Sequence, residues 1–113
     1  MIQITNSVRL LGSIGGEISI KRLRTGTKIA RIPIVTSELS KKKNGEQFQV
    51  KQWHSLVARG KTAESMKAYL GEGSEVLILG RLTHRSFEDI SGQIQIIAEV
   101  MVHEFMTVTR KTI

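Results

Sequence analysis

At 113 residues and 12.6 kDa the chain has room for one small domain. An apolar fraction of 40% and a mean hydropathy of −0.09 allow one modest core and exclude a disordered or low-complexity chain. Seventeen Lys and Arg against ten Asp and Glu give a net charge of +7, which points to a polyanionic partner, nucleic acid or an anionic membrane surface, while a cysteine count of zero excludes disulfide scaffolds, thiolate metal sites and cysteine nucleophiles. Met1–Ser7 holds no basic stretch followed by an apolar one, and no apolar run approaches the roughly 20 residues of a membrane span. The expectation is a cytoplasmic protein with no membrane partner.

In chain order, the dominant period is two. Val8, Leu10, Gly12 and Ile14 alternate with Arg9, Leu11 and Ser13 in a first strand, and a short second strand is expected over Glu17–Arg24. A third runs over Lys28–Ser37, where Ala30, Ile32 and Ile34 alternate with Arg31, Pro33 and Val35; the single proline fits if its missing N–H falls at an edge or bulge. The fourth, Gln47–Gly60, sets Val50, His54, Leu56 and Ala58 against Lys51, Trp53, Ser55, Val57 and Arg59. The spacing of Ala63, Met66 and Leu70 predicts one helix over Thr62–Leu70, with Thr62 as N-cap, Glu64 in the first turn and Gly71 after the last. A fifth strand, Glu75–Glu88, and a sixth, Gln93–Thr107, complete the chain. Turn signals separate them, the strongest being Asn44-Gly45, whose residues both tolerate positive φ.

Strands, one short helix, then strands is the order of a mainly all-β OB-fold: a five-stranded Greek-key barrel with a short helix between strands 3 and 4. The Glu17–Arg24 strand would be the bent continuation of the first. A single domain is expected over 1–113, with the barrel over about 4–107 and a basic end over 108–113.

The charge is concentrated. Residues 1–61 carry 12 Lys and Arg against Glu17, Glu38 and Glu46, a net of +9, whereas 62–113 are net −2. Alternation gathers Lys51, Trp53, Ser55 and Arg59 on one face of the fourth strand. In the fifth it sets Arg81, Thr83, Arg85 and Phe87 opposite an inner line of Val76, Ile78 and Leu82. An aromatic between basic residues on a non-core face can stack a base while its neighbours neutralise phosphates. A Trp capping the core is the plainer reading of one strand; two strands with the same pattern favour stacking. Lys41, Lys42 and Lys43 form a charged hairpin tip, suited to phosphate attraction or simply to solvation. Arg31 extends the candidate phosphate path.

Other chemistry finds little support. Gly60-Lys61-Thr62 lacks the glycine five residues earlier that a phosphate loop needs, where Ser55 stands, although Lys61 at a helix start is placed to meet a backbone phosphate. His54, His84 and His103 lack paired ligand spacing; His54 and His84 read as core or interface residues, so no metal and no cofactor are expected. The single aspartate, Asp89, sits in a turn, and no carboxylate pair or nucleophile–base pair supports catalysis. Tyr69 and Phe105 read as structural.

The segment Trp53-His-Ser-Leu-Val-Ala-Arg-Gly-Lys-Thr-Ala-Glu64 resembles the W-H-x-V-V-x-x-G-K-x-A-E stretch of bacterial single-stranded DNA-binding proteins. Asn6–Gly12, Val35-Thr-Ser-Glu38, Tyr69–Ser74 and Leu79–Phe87 are similar to further pieces of that family in the same order, so the resemblance spans roughly residues 6–105. It implies an OB barrel that binds single-stranded DNA without sequence preference, carries no cofactor and assembles as a homo-oligomer, a tetramer before a dimer. It also implies stacking at Trp53 and Phe87 and a DNA contact at Arg85. Arg59 stands where the family often has Phe, and Ser40 near a frequent Trp. The basic Thr109–Ile113 ending, in place of a long linker and acidic tip, suggests a short form for which recruitment of repair enzymes is not carried over. The expected function is binding and protection of single strands in replication, recombination and repair. The alternatives are a primosomal-type OB protein acting in replication restart, and a protein-interaction module with Trp53 and Phe87 buried between subunits.

Overall fold

A computed structural model describes residues 4–109; of the basic end expected over 108–113, residues 110–113 lie outside the described residues. After a 3-10 turn at Ile4–Asn6, the elements are β1 (Val8–Ile14), β2 (Ser19–Arg22), β3 (Lys28–Lys41), β4 (Gln47–Arg59), α1 (Gly60–Tyr69), β5 (Glu75–Glu88) and β6 (Ile94–Thr107). Hydrogen bonding runs β1-β5-β6-β4-β3, and β1 pairs back onto β3 through Ser13 with Val35 and Ile14 with Ile34. That closes a five-stranded barrel, whose β4–β6 seam is parallel and joins Leu56 to Val100 and Val57 to Met101. β2 takes up β3 where β1 leaves it, Ser19 facing Arg31, so the two are one strand bent at Gly15-Gly16. This is the OB arrangement, with its helix between the third and fourth barrel strands.

The inward line of each strand fills the barrel: Ile14, Ala30, Ile32, Ile34, Leu56, Ala58, Val76, Ile78, Val100 and Val102 are all buried. Ala63 and Met66 of α1, with Leu70 just past its end, plug one end. Lys67 Nζ donates to the Ile18 carbonyl at 2.8 Å, tying the helix to the segment before β2. Pro33 lies opposite Ser55 in the β3–β4 ladder, while its carbonyl accepts from Gly15 N at 2.9 Å. A strand residue points its N–H and C=O to the same side, so the missing donor falls in the gap between β1 and β2.

Several expectations are corrected. The helix starts at Gly60, two residues before Thr62, and Arg59 is its N-cap without a side-chain bond. The β4 ladder holds the chain until Arg59, and the helix follows without a linker. Glu64 is thus past the first turn, where it pairs with Lys28 at 3.0 Å. β3 continues to Lys41 rather than ending at Ser37, because the β3–β4 arm stands clear of the barrel and its ladder does not depend on an apolar face. Its turn is a three-residue loop with Lys42 N to Glu46 O at 2.8 Å, and Gly45 alone takes positive φ, at +89°. Leu82 lies past the inner line of β5, which ends at Gly80, and is 42% exposed. His84 is exposed rather than inward, and His54 is half-buried, its Nε2 2.9 Å from Thr36 Oγ1. Tyr69 is not structural: it is 76% exposed, because α1 buries the stripe through Ala63 and Met66. Phe105 does pack against the core. Among the described residues no helix is long and apolar enough to cross a membrane.

Candidate nucleic-acid interface

The outward faces of β3, β4, β5 and β6 form one curved surface. The register sets Val35 opposite Trp53, Pro33 opposite Ser55, Arg31 opposite Val57 and Ile29 opposite Arg59. Across the parallel seam this face continues through Met101 and Glu99 of β6 to Arg81 and Thr83 of β5. Arg85 and Phe87 follow in the same alternation toward the β5–β6 tip, opposite Ile97 and Gln95.

Trp53 is 65% exposed. Beneath the ring lies Gly15, where a Cβ would come within 2.5 Å of Trp53 Cζ3, and Val35 packs alongside. One indole edge is therefore supported by backbone while much of the ring stays open to a base. Phe87, 40% exposed, is the second open ring, and the Arg85 guanidinium carbon lies 5.7 Å from its centroid, a cation–π distance.

A residue the strand pattern passed over organises the centre. Glu99 is 5% exposed and receives two arginines: Arg31 Nη1 at 3.1 Å on Oε2 and Arg85 Nε at 3.0 Å on Oε1. A buried carboxylate is tolerated only when paired and hydrogen-bonded, as here. The sole sequence signal was an acidic residue at an outward position of an Ile- and Val-rich strand.

The remaining candidates separate by element. Lys51, Ser55 and Arg59 are exposed on the Trp53 face of β4, and Arg81 is exposed on β5. Lys41 ends β3 on that same face, while Lys42 and Lys43 enter the turn, Lys42 with a 3.7 Å pair to Glu46. Lys61 stands apart on α1, lining a cleft with His103 and Glu104 instead of the strand face. Lys21 of β2, opposite Ile29, borders Arg31 in a shallow groove and adds a cation that strand alternation did not single out. Ser40 lies on the reverse of the arm, opposite the half-exposed Phe48. Among the described residues no three His, Asp or Glu side chains are grouped to hold a metal ion.

The chain superposes on the SSB of Plasmodium falciparum in complex with ssDNA with a TM-score of 0.84 and 24% identity, covering 96% of this chain and 99% of that one. It superposes on a deletion mutant of the single-stranded DNA binding protein from Thermus aquaticus with a TM-score of 0.80 and 19% identity. That match covers 92% of this chain and 50% of the other, so this chain spans half its length. Likeness at such identities speaks for the fold. The model of the single-strand binding protein family matches residues 5–108, nearly the whole barrel and both arms, and this chain belongs to that family.

Proposed function

We propose that the curved face bearing Trp53 and Phe87 takes up single-stranded DNA without sequence preference. As a member of its family the chain is a single-strand binder and not an enzyme. The observation that carries the proposal is the pair of exposed rings on one basic face, Trp53 supported from below by Gly15 and Phe87 flanked by Arg85. Each base stacked on such a ring contributes about 1–3 kcal/mol whatever its identity, since every base has a π-face. Lys51, Ser55, Arg59, Arg81, Arg85, Arg31, Lys41, Lys42 and Lys43 line the phosphate path in this reading, and Lys61 touches a strand only if it passes over α1. Contacts of this kind suit coating and protecting strands exposed in replication, recombination and repair, in the cytoplasm and on the nucleoid.

We further propose a homo-oligomer, a tetramer before a dimer. On the β5–β6 arm, Leu82, Ile94 and Ile96 share the face opposite Arg85 and Phe87 and are exposed. A second copy of the chain covering them leaves both rings open.

The test follows Trp53 fluorescence while oligo-dT is added, at two salt concentrations, with duplex DNA as control. Strong quenching by the single strand that weakens with salt is expected, and Phe87→Ala is expected to lower affinity. Absence of quenching with oligo-dT rejects the stacking role of Trp53. A Phe87→Ala protein that binds normally but falls to monomers makes that ring an interface residue.

A further inference from the structure

We infer that Glu99 is a positioning residue for DNA, setting the guanidinium groups of Arg85 and Arg31 for phosphates; this rests on the strand-face reading above. Its carboxylate bridges residues 14 and 68 positions away in the chain, with one oxygen for each arginine. The bond to Arg85 uses Nε and leaves the two terminal nitrogens for a bidentate fork, the geometry in which a guanidinium meets a phosphate best. It also holds the guanidinium carbon 5.7 Å from the Phe87 centroid, so the distance between cation and stacking ring is set by a group that touches neither base nor phosphate. Two arginines converging on one point would otherwise repel and spread over many rotamers.

A carboxylate in the middle of a basic face weakens its attraction for a polyanion. If the face worked through net charge alone, Glu99 would only be a disadvantage there. Its contribution lies in geometry, and geometry and charge have different salt signatures. Removing the charge adds one unpaired cation, so log K falls more steeply with log[salt], by about 0.7 for one additional phosphate on a single strand. Losing the arrangement weakens binding most at high salt, where attraction is screened and contact geometry remains.

The experiment measures oligo-dT binding by the full chain across a salt series for the wild type, Glu99→Gln and Arg85→Lys, with circular dichroism to check folding. Glu99→Gln is expected to show the steeper slope and about ten-fold weaker binding at the highest salt. Arg85→Lys keeps the charge and loses the fork, so it is expected to keep the wild-type slope and bind more weakly throughout. A folded Glu99→Gln protein with wild-type affinity and slope overturns the inference, as does one that binds more tightly at every salt concentration. Should Glu99→Gln not fold, Glu99→Asp decides: it keeps the charge and shortens the bridge, so wild-type affinity and slope overturn the inference, and weaker binding at unchanged slope sustains it. If the wild type itself does not bind oligo-dT, the strand-face reading fails instead.

Discussion

Because Gly15 forms the floor under Trp53, the position of the indole depends on a residue with no side chain. A methyl group there would sit 2.5 Å from Cζ3, well inside van der Waals distance, and the ring must tilt or lift to admit it. Gly15→Ala is expected to weaken oligo-dT binding about ten-fold, within the ~1–3 kcal/mol of a stacked base, and to reduce the Trp53 quench. Unchanged affinity would show that ring placement is unimportant. At the far tip, Asp89 Oδ1 accepts Ser91 Oγ at 2.7 Å, Ser91 N at 3.0 Å and Gln93 N at 3.0 Å, and Oδ2 accepts Gln95 Nε2 at 3.0 Å. The Ser91 hydroxyl above all, then Gln95 and Gln93, lower its pKa from 3.8 to about 2. A depressed folded-state pKa contributes stability that is present above the unfolded value, near pH 4, and is lost as pH falls through 2. Thermal melts should therefore separate the wild type from Asp89→Asn at neutral pH and bring them together near pH 2. Alternation alone identified the outward faces of Trp53 and Phe87. It was silent on Gly15 and Glu99, because their partners are brought to them by the fold from other strands, Trp53 38 positions from Gly15, and Arg85 and Arg31 14 and 68 positions from Glu99.

At the scale of elements, the two long hairpins carry most of the residues proposed to face DNA. β3–β4 pairs without interruption from Ile29–Arg59 out to Lys41–Gln47, holding Lys41, Lys51 and Trp53 on one side of a projecting arm. β5 and β6 were readable with nearly correct ends, since both are rich in Val, Ile and Leu and are bounded by the turn signals at Gly71–Gly73 and Asp89–Gly92. The outer half of β3 was not. Ser37, Glu38, Ser40 and Lys41 have no apolar face to advertise, and the ladder there follows from the turn and the partner strand. The lysines at its tip face solvent, where a single pair such as Lys42 with Glu46 contributes little, so their influence on DNA is through attraction. A triple variant, Lys41→Gln, Lys42→Gln and Lys43→Gln, is expected to lower affinity at low salt and match the wild type at high salt. Its salt slope should be shallower by about 0.7 for each phosphate that the arm no longer neutralises. An unaltered slope would mean that the arm does not meet the strand.

For the whole molecule, fold and charge asymmetry were both present in the sequence, but the proposed DNA surface is not simply its basic half. Phe87, Arg81 and Arg85 come from the net-negative residues 62–113; the β4–β6 seam sets Arg81 across Met101 from Val57, and Glu99 joins Arg85 to Arg31. Strand alternation in the β5–β6 arm keeps Phe87 on the side opposite Leu82, Ile94 and Ile96. Ile96→Lys is expected to shift light scattering toward a smaller species while oligo-dT still quenches Trp53; loss of quenching together with mass would place ring and interface on one surface. The seams of the barrel have a further consequence, for its kinetics. β1 meets β3 through two residue pairs and β4 meets β6 through two, whereas β3–β4 and β5–β6 are long ladders local in sequence. Hairpins with short loops form in microseconds, and a junction that unites residues dozens of positions apart must wait for loop closure. The barrel is thus assembled from two quickly formed hairpins whose zipping is late and slow. Amide exchange should open first where β1 meets β3 and where β4 meets β6, the narrow joins between those halves, whereas the Ile14 amide, bonded to the Ser74 carbonyl at 2.9 Å, reports the β5 side.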